Sequence, residues 1–126
     1  MRVVDSSAWI EWISGSALAQ RVANELPPND EWIVPTIVQY EIKRWGIRAN
    51  ASPQADVALA FSKKLTLQAL DSDLAMRVAE VAAQHSLAMA DAIIYVTAIK
   101  YAAELLTCDA HFQNLPRVVY LAKSSP

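Results

Sequence analysis

The chain has 126 residues, 54% of them apolar and 19% charged, with a net charge of −2. That is one globular domain (residues 1–126) with enough apolar material for a core, and it excludes a disordered chain. One cysteine and two glycines exclude an intrachain disulfide, a Cys-rich zinc site, a P-loop and a Gly-rich dinucleotide turn. The mild acidity weighs against a nucleic-acid role, although a local basic patch can coexist with an acidic cluster. His85 and His111 form no metal-ligand pair by spacing, so any chemistry falls to carboxylates. Met1 leads straight into strand-like sequence, with no signal peptide. Asp91, Lys100 and Glu104 interrupt the longest apolar region, so no membrane span is expected. A cytoplasmic location suits all of this.

Val3 and Val4 read as a short buried strand. Asp5, Ser6 and Ser7 then precede the apolar-periodic run Ala8, Trp9, Ile10, Trp12, Ile13, which reads as a helix start. Gly15 suits the residue after that helix, and Ser16 can cap a second helix. Trp32-Ile33-Val34 is a second strand, stopped by Pro35. Thr36 and Gln39 spell a capping box for a third helix carrying Glu41, Lys43, Arg44 and Arg48. Ser52 as cap and Pro53 at the first helical position predict a helix to about Lys63.

Leu65 to Leu70 alternates apolar and polar residues and reads as a half-exposed edge strand. Asp71-Ser72-Asp73 caps a helix from Leu74 to about His85. Asp91 begins, or nearly begins, the next helix. Leu105-Leu106-Thr107 and Val118 to Leu121 are the fourth and fifth strands, and Lys123 to Pro126 reads as a frayed tail. Strands alternate with helices, which predicts an α/β fold with a five-stranded, mainly parallel sheet flanked by helices.

On that map Asp5 and Asp109 follow strands. Glu41 lies early in the helix after the second strand, and Asp91 starts the helix leading into the fourth. Carboxyl ends of parallel strands share one rim with the amino ends of the helices that follow. Each acid alone suits a cap, a turn or a solvated helix position. Together they make a carboxylate cluster that persists only with shared protons or a bound cation, and oxygen ligands suit Mg²⁺ or Mn²⁺.

V-V-D-S-S-A-W at the start, T-I-V-Q-Y-E, A-D-A-I-I-Y-V-T-A and L-L-T-C-D-A-H-F resemble the PIN-domain nucleases, in size and order the VapC toxin subfamily. The resemblance runs from Met1 to about Leu121. It implies a metal-dependent endoribonuclease of a toxin–antitoxin pair, usually a homodimer held inactive by a small antitoxin. It implies Asp5, Glu41, Asp91 and Asp109 as the acidic site, with Thr107 as a supporting hydroxyl, and cleavage leaving a 5′-phosphate and a 3′-hydroxyl.

The mechanism expected is hydrolysis of RNA phosphodiester bonds by a metal-activated water. Asp5, Asp91 and Asp109 hold Mg²⁺ or Mn²⁺, with Glu41 orienting or deprotonating the water. Ser6 and Thr107 are candidate hydrogen-bond partners of the carboxylates. Lys43, Arg44 and Arg48 are candidates to receive the RNA backbone, with a solvated helix face as the alternative. Trp9, Trp12 and Trp45 are candidates to line a groove between the first and third helices for an antitoxin helix. A rival from another class is a phospho-receiver-like signalling module with an acidic metal site. It wants an acceptor acid after the third strand, where Asp71 stands, and a second acid beside Asp5, where Ser6 and Ser7 stand.

Overall fold

Val3 and Val4 are completely buried because their strand lies in the middle of the sheet. The computed structural model describes residues 1–123. Its strands are β1 (Arg2–Val4), β2 (Trp32–Pro35), β3 (Thr66–Gln68), β4 (Glu104–Thr107) and β5 (Val118–Tyr120). They form one sheet in the order β3-β2-β1-β4-β5. All four pairings are parallel, with Val3 opposite Ile33 on one side and Leu105 on the other.

Three of the connections carry two helices each. These are α1 (Ser6–Ile13) and α2 (Ala19–Glu25), α3 (Thr36–Arg48) and α4 (Ser52–Ser62), and α5 (Ser72–His85) and α6 (Met89–Lys100). Only a 3₁₀ turn, Ala110–Phe112, joins β4 to β5. From β1 the chain moves outward to β2, and from β4 it moves outward the other way to β5. The crevice between the ends of β1 and β4 is therefore a topological switch point, where open α/β sheets place ligands.

Burial follows from this layout. β2 is buried along its whole length and α6 keeps seven consecutive buried residues from Ala92 to Ala98, which is why the α6 sequence shows little amphipathic periodicity. β3 lies at the sheet edge, with Leu67 exposed. Trp9, Trp12, Trp32 and Phe61 form one aromatic cluster, with the Trp9 and Trp32 ring centroids 4.9 Å apart. Arg2 ties the amino-side edge of the sheet together, bonding Glu25 Oε1 at 3.1 Å and Glu104 Oε1 at 2.6 Å. Gly46 is required where α3 meets α4, since a Cβ there would stand 2.5 Å from the Cβ of Ala55. Among the described residues no helix is long and apolar enough to cross a membrane.

Several local expectations are corrected. The Thr36–Gln39 capping box does not form: Pro35 holds the cap position, Thr36 is already helical, and Gln39 donates to Ser62 Oγ at 3.0 Å. Ser52 is inside α4, whose cap position is Ala51. Ser16 accepts the Leu18 N–H at 3.2 Å in a turn that delays α2 to Ala19. β3 is three residues long, shorter than the alternation from Leu65 to Leu70 suggests. Of the tail expected to fray, residues 124–126 lie outside the described residues.

Candidate active site

Asp5 leaves β1 at the switch point and is only 3% exposed. Its backbone does two jobs. The N–H continues the sheet by donating to the Leu106 carbonyl at 2.8 Å, and the carbonyl accepts the N–H groups of Ala8 and Trp9. Its side chain accepts no backbone N–H of the helix it precedes. The cap reading of Asp5 thus holds for its main chain and fails for its carboxylate.

That carboxylate is held by two hydroxyls. Ser7 Oγ donates to Asp5 Oδ2 at 2.6 Å and Thr107 Oγ1 donates to the same oxygen at 2.8 Å. Ser7 Oγ also accepts the Cys108 N–H at 3.0 Å, and Thr107 Oγ1 accepts the Asp109 N–H at 2.9 Å. The first turn of α1 and the end of β4 are thereby stitched together around one acid. Ser6 serves a different acid, donating to Glu41 Oε1 at 2.9 Å.

Asp91 is the third residue of α6, with Ala88 at the cap position. Asp109 caps the 3₁₀ turn by accepting the His111 N–H at 2.9 Å. The His111 ring then faces both acids, with Nδ1 3.1 Å from Asp91 Oδ2 and 3.4 Å from Asp109 Oδ1. Donor atoms of Asp91, Asp109 and His111 all lie within 4.8 Å of one another.

Asp5, Glu41, Asp91 and Asp109 line a single cavity of about 640 Å³. Burial raises the pKa of Asp5 above the ordinary carboxyl range; the Ser7 and Thr107 bonds oppose it, and the charges of Asp91 and Asp109 add to it. Burial likewise raises Glu41 against the Ser6 bond, with repulsion from Asp5, Asp91 and Asp109. Asp91 is raised by burial and by Asp109, against its contact with His111. Among the described residues no Lys or Arg forms an ion pair with any of these acids. Carboxylates that repel one another without a lysine or arginine partner, in a cavity open to small solutes, are a donor set that fits a hard divalent cation.

Arg44 and Arg48 line the same cavity. Lys43 does not; it pairs with Asp56 of α4 at 2.8 Å. Sequence reasoning missed two residues. Ser7 reads in sequence only as part of a helix start and as the residue where a receiver module wants a second acid, yet it contacts Asp5. His111 was set aside for lacking a second histidine, although it stands two positions after Asp109. The aromatic groove is also corrected. Trp9 and Trp32 are core residues, and the apolar groove of about 500 Å³ lies between α1 and α4, lined by Trp12, Val57 and Phe61 among others, without Trp45.

A parallel α/β domain with four carboxylates gathered where its strand order reverses has the arrangement of a PIN domain. The chain belongs to that family: the PIN domain profile matches residues 2–118. Asp71, the acceptor a receiver module would need, instead caps α5 by accepting the Leu74 N–H at 2.9 Å.

Solved structures agree on the fold. A toxin–antitoxin complex from Klebsiella pneumoniae has a chain with TM-score 0.79 and 23% identity, covering 94% of this chain and 96% of that one. VapC20 of Mycobacterium tuberculosis, described as a toxin that cleaves the sarcin–ricin loop, gives TM-score 0.76 at 20% identity over 98% and 100%. A DNA-bound VapBC from Salmonella typhimurium gives 0.72 at 15% identity over 96% of both chains. Comparison with curated proteins by sequence finds no match.

Proposed function

We propose that this chain is a Mg²⁺- or Mn²⁺-dependent endoribonuclease, the cytoplasmic toxin of a toxin–antitoxin pair. The observation that carries the reading is the gathering of Asp5, Glu41, Asp91 and Asp109 around one cavity of a PIN domain. The toxin assignment is supported by structural neighbours that are VapBC complexes. A small antitoxin is the implied partner, and a homodimer the implied assembly.

Asp5, Asp91 and Asp109 would hold the ion, with Glu41 at its edge. When bound, a divalent ion lowers the pKa of a water and offsets charge developing on the phosphate. Asp5 is locked in one orientation by Ser7 and Thr107, so its carboxylate needs no reorganisation when it takes up a cation. Glu41 is half-buried with a raised pKa, which makes it a better proton acceptor than a surface glutamate. Ser6 fixes one of its oxygens. Arg44 and Arg48 line the same cavity as Glu41 and would receive RNA phosphates.

The test is RNA end-mapping after brief induction, wild type against Asp5→Asn. New 5′-phosphate ends at defined sites, absent with Asp5→Asn, are expected. Identical end profiles for the two proteins would overturn the assignment.

A further inference from the structure

We propose that His111 is a nitrogen ligand of the divalent ion and biases the site toward a transition ion such as Mn²⁺ over Mg²⁺. This rests on the metal-dependent reading above and adds a residue to it.

His111 is unusual among exposed histidines in how its backbone is fixed. The side chain is 72% exposed, yet its main chain is pinned on both sides. Asp109 accepts its N–H at 2.9 Å, and the next residue, Phe112, is completely buried. The ring is therefore delivered to one place while its far edge stays open to solvent. No structural duty falls on the imidazole itself: the 3₁₀ turn is capped by Asp109 through the backbone.

The place it reaches is defined by two acids from different elements. Nδ1 lies 3.1 Å from Asp91 Oδ2 on α6 and 3.4 Å from Asp109 Oδ1 after β4. An exposed contact of this kind contributes little to stability. As a ligand edge the distances make sense. Adjacent ligand atoms of an octahedral ion with bonds near 2.0–2.1 Å are about 3.0 Å apart. The two distances approach such edges, with a nitrogen and two oxygens converging from three backbone positions. Asp5 and Glu41 are already tied to hydroxyls, whereas Asp91 and Asp109 line the same cavity with the His111 ring against both.

The chemistry sets the selectivity. An all-oxygen site suits Mg²⁺, which accepts imidazole poorly, whereas first-row transition ions take neutral imidazole readily. Coordination through Nδ1 uses its lone pair and leaves the ring proton on Nε2. The competing arrangement keeps the proton on Nδ1, donated to Asp91, with the ion held by oxygens alone.

The chain has two histidines, which makes the test clean in untagged protein. Mn²⁺-loaded wild type should show ¹⁴N modulation from a coordinated imidazole in pulsed electron paramagnetic resonance. His111→Ala should lose it, and His85→Ala should keep it, since His85, the last residue of α5, packs against Tyr95 of α6. By competition titration, His111→Ala should lower Mn²⁺ affinity about tenfold and Mg²⁺ affinity much less. Outer-shell partners can change affinity by 10–100-fold too, so the nitrogen coupling decides. Bound Mn²⁺ without ¹⁴N coupling, or an unchanged Mn²⁺-to-Mg²⁺ preference in His111→Ala, overturns the proposal and leaves the ring as a donor to Asp91. Failure of the wild type to bind either ion overturns the metal reading of the whole site.

Discussion

Thr107 donates its hydroxyl to Asp5 Oδ2 at 2.8 Å, joining residues 102 positions apart. The last residue of β4 thus sets the angle of the first residue after β1. Thr107→Val keeps the shape and removes the donor, leaving a buried carboxylate with Ser7 alone. A cost of roughly 1–3 kcal/mol is expected for a buried acceptor losing its partner, with activity down roughly 10–100-fold. Because Ser7 and Thr107 share one oxygen, Ser7→Ala and Thr107→Val should be non-additive by at least about 0.5 kcal/mol. Denaturation of the four proteins checks this, and additive losses would separate the two hydroxyls.

Metal-free protein should become less stable as pH rises above the ordinary carboxyl range. Asp5, Glu41 and Asp91 have folded pKa values raised above their unfolded ones. Between those values the native state binds more protons than the unfolded chain, so unfolding free energy falls with pH. The contribution is present below the unfolded value and lost as pH climbs through the folded one. Glu104, lowered by Arg2, acts oppositely and at lower pH. Asp5→Asn should flatten the slope and stabilise the metal-free protein near neutrality. Denaturant titrations in chelator across pH read it, and a slope unchanged by Asp5→Asn contradicts it.

Mg²⁺ or Mn²⁺ should raise the melting temperature of the wild type. Saturation at about 100 times Kd corresponds to roughly 2.7 kcal/mol. EDTA should abolish cleavage. RNase activity that survives exhaustive chelation would rule out the metal mechanism.

Arg44 and Arg48 should behave differently from Lys43, although all three lie on α3. Arg44→Ala and Arg48→Ala should raise KM and each flatten the salt dependence of single-stranded RNA binding by about 0.7 in the log–log slope. Lys43→Ala loses an exposed pair with Asp56 and should leave that slope nearly unchanged. Equal effects from all three would mean a diffuse positive field with no defined path.

Gly46→Ala should destabilise the fold by about 1–3 kcal/mol through overpacking against Ala55, since neither helix can yield a rigid Cβ. Thermal melting measures it, and an unchanged midpoint would show that α3 and α4 separate easily.

The order of strands and helices was legible because each element carries its own periodicity and stop signals. The rim position of Asp5, Glu41, Asp91 and Asp109 was legible because parallel connectivity alone determines it. What escaped depended on contacts between distant segments. Gln39 could have bonded its own helix start, and Ser62 of α4 took it instead. Ser6 and Ser7 are adjacent, and only the three-dimensional path of α1 sends one to Glu41 and the other to Asp5. His111 is told from a surface histidine by the turn that aims it at Asp91, twenty residues earlier.

The central place of β1 fixes when the site can exist. A ribosome makes Val3 and Asp5 about a hundred residues before their neighbours Leu105, Leu106 and Thr107. At about 5–20 residues per second that interval is of order 5–20 seconds. Throughout it the middle strand has at least one edge unpaired, and Asp5 has neither its second hydroxyl nor Asp109 beside it. Closing a loop of that span also slows folding relative to a chain of local contacts. Any translation product ending before Thr107 is missing half of the hydrogen-bond support of Asp5.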